Sequence, residues 1–168
     1  GIIAIADSIT FGRGELPLTG WAGRIKDDFE VKDYNRCFFN LGFPGETTES
    51  IKERFEVEIK SRALAKDKDK IVLIIGLGIN DTKSVHRPGN NEVGIVSYER
   101  NIREFIKTAK KYVSNIVLLS LTPVDEERVC PFRDIYFYND VIKRYNDVLS
   151  DVSEDEGLGF VDVFTPLY

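Results

Sequence analysis

Three short polar segments of this sequence carry residues that could do chemistry together. Asp7 and Ser8 follow the apolar run Ile2-Ile3-Ala4-Ile5-Ala6. Residues 42–48 read Gly-Phe-Pro-Gly-Glu-Thr-Thr, with Gly45 at the centre, and residues 78–81 read Gly-Ile-Asn-Asp, which supplies the carboxamide of Asn80. A hydroxyl attacking an ester carbonyl makes a tetrahedral oxyanion, and that charge needs donors fixed before the reaction begins. Backbone N–H groups at a helix start are such donors, and glycine lets them come close. The Asn80 amide is another. A serine, two backbone N–H groups and an Asn amide therefore amount to half of a hydrolase site. The other half is a base for the serine.

The plain readings of the same residues are structural: Ser8 as a turn or helix cap, Gly45 as a residue that closes a turn, and Asn80 as a cap after a strand. Asp7 is expected to hold its turn by hydrogen bonds rather than act on substrate.

The apolar runs between these segments predict the elements that position them. Ile2 to Ala6 is branched and short, as a buried strand should be. Gly12, Gly14 and Pro17 mark a loop, and a helix starts near Gly20, with Trp21, Ile25 and Phe29 at helical spacing toward the sheet. Residues 34–39 read as a second strand. A turn then enters a helix capped by Thr47 or Thr48, with Ile51, Phe55 and Ile59 as its stripe. The charged residues 66–70 form a solvated connector. Residues 71–75 (Ile-Val-Leu-Ile-Ile) are apolar on both faces, like a central parallel strand. Residues 83–94 are a polar loop. A long helix follows, carrying Ile102, Phe105, Ile106, Ala109, Tyr112 and Val113. Residues 116–121 make a fourth strand and 122–133 a loop. The aromatic run 132–138 reads mostly as the start of the last helix, which Gly157 or Gly159 ends. Residues 160–164 make the fifth strand.

Strand and helix alternate throughout, which predicts an α/β fold: three layers, α/β/α, around a five-stranded parallel sheet. Right-handed crossovers favour the flavodoxin-like order 2-1-3-4-5. Strand one then lies between strands two and three, so the three polar segments meet at the topological switch point, where open sheets bind ligands.

The totals fit one soluble domain spanning 1–168. The chain is 42% hydrophobic and 30% charged, with 23 basic and 28 acidic residues, a net charge of −5. This mildly acidic balance argues against nucleic acid or an anionic membrane surface as the main partner. No apolar run approaches a membrane span. Cys37, in a strand, and Cys130, in a loop, read as free thiols rather than a disulfide framework, which suits a reducing cytoplasm. With one histidine and no Cys-x-x-Cys, a metal site is not expected.

At this point the residues resemble a family. Ala6-Asp7-Ser8-Ile9-Thr10 resembles the first block of the GDSL/SGNH hydrolases. Asn40-x-Gly42-x-x-Gly45-x-Thr47 is similar to the second, and Gly78-x-Asn80-Asp81 to the third. By that resemblance Ser8 is the nucleophile, and the oxyanion hole is made by the N–H groups of Ser8 and Gly45 and the side chain of Asn80. The implied activity is a serine esterase or acylhydrolase working through an acyl-enzyme, for which neither a metal nor another cofactor is needed. Its substrates would be small esters, either short acyl esters or acetylated carbohydrate.

Two departures stand out. Ala6 replaces the usual glycine, and its methyl is expected to be tolerated. The family's last block, an Asp-x-x-His pair after the fifth strand, is not found among these residues. Asp162 falls inside the expected strand, and no histidine follows it. A C-terminal segment carrying the base is the expected explanation. His86, beside Arg87 and Pro88 in the loop after strand three, reads as plain surface rather than as a stand-in base. The alternative to the enzyme is a catalytically silent module binding a small molecule or carbohydrate on the same fold. The other readings fail on their motifs. Gly76 and Gly78 lack the third glycine of a dinucleotide fingerprint, and neither a Walker A sequence nor a Gly-x-Ser-x-Gly elbow is present.

Overall fold

The computed structural model describes residues 1–16, 19–63 and 68–168. In chain order the elements are β1 (Ile2–Ala6), α1 (Ser8–Phe11), α2 (Gly20–Glu30), β2 (Phe38–Asn40), α3 (Lys52–Arg62), β3 (Val72–Gly76), β4 (Ser84–Val85), α4 (Ile95–Ala109), β5 (Asn115–Leu119), α5 (Glu126–Val129), β6 (Ile135–Tyr136), α6 (Asn139–Glu156) and β7 (Gly159–Val161). A 3-10 turn covers Lys68–Lys70. Pro17 and the first two residues of the charged connector, Lys66 and Asp67, lie outside the described residues.

The main sheet runs β2-β1-β3-β5-β7, all parallel, which is the expected order of the five principal strands. Its register aligns Ala4 with Asn40 and with Ile74, and Ala6 with Gly76. The β1–β2 ladder continues past its regular part, because Leu41 N–H donates to Ala4 O at 2.9 Å and Phe43 N–H to Ala6 O at 3.0 Å. The turns after β1, β2 and β3 therefore leave the sheet side by side.

One face of the sheet is fully covered. Ile3, Ile5, Leu73, Ile75 and Leu118 pack against Phe55 and Ile59 of α3, Ile102 and Ile106 of α4, and Ile142 and Leu149 of α6. Phe55 and Phe105 stack at 4.3 Å in the middle of this layer. Burying each such side chain stabilises the fold by about 1.5–3 kcal/mol. On the other face, Ala4 and Phe38 meet Ala22, Trp21 and Phe29. There α2 covers β1 and β2, but no helix among the described residues covers β3, β5 and β7. Ile74, Val117 and Leu119 are only half-buried, and Val161 is exposed. They line a groove of about 860 Å³ that runs past Trp21 to Asp7 and Ile9 at the sheet edge. The strand expected to be buried on both faces is fully buried on one.

Several boundaries differ from expectation, each for a local reason. Strand two starts at Phe38, because Asp33 accepts the N–H groups of Asn35 and Arg36 and folds 33–36 into a turn; Cys37 is exposed ahead of it. Only Gly20 and Ala22 of α2 are buried and Ile25 is exposed, because the helix lies near the sheet's edge. Neither Thr47 nor Thr48 caps α3. Thr47 bonds within its own turn to Ser50, Thr48 bonds elsewhere, and the helix begins at Lys52. Residues 135–136, expected in a helix start, instead pair antiparallel with 84–85 of the expected loop, and the two segments form a small second sheet. The last strand is Gly159–Val161, which leaves Asp162 just outside it. No helix among the described residues is long and apolar enough to cross a membrane.

Candidate active site

Ser8 is the first residue of α1, and Asp7 is its cap. The Asp7 backbone is extended, and its Oδ1 accepts the N–H of Ile9 at 2.9 Å. Ser8 is partly exposed, and its hydroxyl makes no hydrogen bond among the described residues. Gly42 brings the second turn against this one. A side chain there would meet the Phe11 nitrogen at 2.5 Å and the Asp7 carbonyl at 2.6 Å. Asn40 adds a tie, donating its amide to Thr10 O at 2.9 Å.

Residues 43–46 form a β-turn closed by Glu46 N–H to Phe43 O at 3.2 Å. Pro44 precedes Gly45, whose φ is +84°, as a type II turn requires. The closing bond uses the two ends of the turn, so the N–H of the middle peptide, on Gly45, is left free to donate outward. Asn80 joins the third turn to the second: its Nδ2 donates to Glu46 O at 2.9 Å. A carboxamide nitrogen carries two protons, so one is left for another acceptor. Beside it Asp81 accepts the Thr48 N–H at 3.1 Å on each oxygen and also the Thr48 hydroxyl. Beneath, Gly78 holds φ +139° against the Tyr98 ring, and the Tyr98 hydroxyl donates to Leu77 O at 2.9 Å.

The electrostatics are those of buried acids. Burial pushes the carboxyls of Asp7 and Asp81 up to about 6. The hydrogen bonds each accepts oppose this, while the negative charge of Glu46 near Asp7, and of Asp7 near Asp81, adds to it. Burial also pushes the Tyr98 phenol well above its ordinary value.

The profile of the GDSL-like lipase/acylhydrolase family matches residues 7–168. The chain belongs to this family. Among curated proteins none matches this GDSL-like hydrolase. Solved structures that share its fold include an acetylxylan esterase from Geobacillus stearothermophilus (TM-score 0.69, 21% identity, 98% of this chain and 76% of that one). An α/β hydrolase enzyme from the metagenome of Lake Arreo, Spain, has a TM-score of 0.71 at 20% identity, over 98% of this chain and 77% of that one. A G-D-S-L family protein from Desulfitobacterium hafniense has a TM-score of 0.68 at 16% identity, over 96% and 75%.

Within this GDSL-like hydrolase the three expected residues fall at the ends of three adjacent strands. Asn80 is bonded to the neighbour of Gly45, and Ser8 sits two residues past Ala6, whose carbonyl holds Phe43. His86 is exposed beside β4, with φ +66° and its backbone N–H on Asp134 O at 2.8 Å; no bond among the described residues aligns its imidazole on Ser8. Asp162, one residue past β7, accepts the N–H groups of Phe164 at 2.9 Å and Thr165 at 3.1 Å. Bonds from Thr165 hold its carboxyl below the usual range. Sequence reasoning missed the roles of Glu46, Arg54 and Asp81. Asp81 could have been noticed as the one acid in the turn that carries Asn80. The pairing of Glu46 with Arg54 had no signal, because the seven intervening residues span a turn and a helix entry.

Proposed function

We propose that the protein is a serine esterase that cleaves small carboxylic esters through an acyl-enzyme on Ser8. In this reading Ser8 Oγ attacks the ester carbonyl carbon. The carbonyl oxygen becomes an oxyanion between the N–H groups of Ser8 and Gly45 and the free amide proton of Asn80. The carbon–oxygen bond to the alcohol then breaks, and the alcohol leaves with a proton. Water attacks the acyl-enzyme in turn and releases the acid. The serine proton must pass through a base to the leaving alcohol.

The observation that carries the reading is the bond from Asn80 Nδ2 to Glu46 O beside a turn whose Gly45 N–H is unused among the described residues. It supports two donors held in place before any substrate arrives, and each such donor is worth about 2.7–4 kcal/mol of transition-state stabilisation. Family membership supports the hydrolase class. The fold shared with an acetylxylan esterase supports short acyl groups on carbohydrate as substrates to try first. The test is hydrolysis of p-nitrophenyl acetate and acetylated xylo-oligosaccharide by the parent protein and Ser8→Ala. The reading predicts that Ser8→Ala loses turnover while keeping its melting temperature. Equal activity in the two proteins would overturn it.

A further inference from the structure

Arg54, on the first turn of α3, reaches back to the oxyanion turn at three points. Its Nε donates to Glu46 Oε2 at 2.9 Å, and its Nη2 contacts the same oxygen. Nη2 also donates to Leu41 O at 3.2 Å, and the guanidinium lies 5.7 Å from the centroid of the Phe43 ring. These contacts bracket Gly45, with Leu41 and Phe43 on one side and Glu46 on the other. Glu46 is 5% exposed, so its carboxylate depends on this partner and on Ser50, whose hydroxyl donates to Oε1 at 3.2 Å. Glu46 is also the residue whose carbonyl holds Asn80.

The direction of the Gly45 N–H is set by the two ends of its turn, since the middle peptide makes no bond of its own among the described residues. The direction of the Asn80 amide is set by the Glu46 carbonyl. One guanidinium holds the residues that govern both. A planar fork can meet a carboxylate, a carbonyl and a ring at once, which a lysine ammonium cannot.

We propose that Arg54 is a positioning residue for the oxyanion hole: through Glu46 and the 41–46 turn it aims the Gly45 N–H and the Asn80 amide at one point. The proposal rests on the reading of Ser8, Gly45 and Asn80 given above. Misplacing a reacting group by about 1 Å can cost on the order of 100-fold in rate.

The test compares the parent with Arg54→Lys, Arg54→Ala and Ser8→Ala, with Arg103→Ala as the control. Arg103 makes its ion pairs on α4 and α6, away from the site. Arg54→Lys keeps a cation for Glu46 and so protects the fold should Arg54→Ala fail to fold. Two readouts are taken: kcat and KM on p-nitrophenyl acetate, and the ¹H–¹⁵N resonances of the Gly45 amide and the Asn80 side chain. Arg54→Lys should shift both resonances and lower kcat by about 10- to 100-fold, with KM nearly unchanged. Arg103→Ala should move neither readout. Parental resonances in Arg54→Lys, or shifted resonances with parental kcat, would overturn the positioning role. Undiminished turnover in Ser8→Ala would overturn the nucleophile instead, and the two resonances would still decide whether Arg54 holds the turn.

Discussion

Thr48 gives both its backbone N–H and its hydroxyl to Asp81, 33 residues further along the chain. Both residues are buried, and Asn101 Nδ2 donates to the same hydroxyl at 3.1 Å. These bonds, with that from Asn80 to Glu46, tie the turn after β2 to the turn after β3. A hydrogen bond to a charged group contributes about 1.5–3 kcal/mol. Thr48→Val should therefore lose about that much stability in urea unfolding, whereas Thr48→Ser should stay close to the parent. Equal midpoints for valine and serine would mean that the hydroxyl does not hold the turns together.

A pH dependence follows from Asp7. Burial lifts its carboxyl from 3.8 to about 6. Between those values the native protein keeps a proton that the unfolded chain has released, so this group's contribution to stability falls as pH rises through the window. Asp7→Asn keeps an acceptor for the Ile9 N–H and removes the titration. The variant should match the parent near pH 4 and exceed it above pH 6 by up to roughly 3 kcal/mol. Denaturation measured at several pH values checks this, and parallel curves would contradict it.

Gly78 and Gly45 both hold positive φ, but their surroundings differ. A side chain at 78 would meet the Tyr98 hydroxyl at 2.6 Å, whereas nothing lies within 4 Å of one at 45. Gly78→Ala adds a clash with a packed ring to backbone strain and should cost about 3–5 kcal/mol. Gly45→Ala adds strain alone and should cost about 1–2 kcal/mol. Urea unfolding of both variants would settle the ranking, and the reverse order would refute the packing described at Tyr98.

The sheet order was legible because the strand and helix runs alternate cleanly, and Ile51, Phe55 and Ile59 were legible because a buried stripe repeats at helical spacing. Ala6 was legible only as a departure. The structure aligns it with Gly76, where a side chain would come within 3.4 Å of its methyl, so a glycine on the neighbouring strand makes room. The pairing of β4 with β6 was hidden, because each strand has two residues and too little sequence to show a period. The half-covered face of β3 was hidden too: Ile74 and Val117 read as core in sequence, and only the placement of the helices leaves them on a groove. The three site residues stood out through their motifs. What ties them together, Glu46 to Asn80 and Asp81 to Thr48, joins segments more than thirty residues apart and has no local signature.

The central claim is that Ser8 is the nucleophile and faces prepared donors. The most direct measurement is intact-mass and peptide mapping of the protein after exposure to a fluorophosphonate. The account predicts one adduct, on Ser8, with none on Ser8→Ala and a slower reaction in Arg54→Lys. An adduct on another serine, or equal labelling of Ser8→Ala, would contradict it.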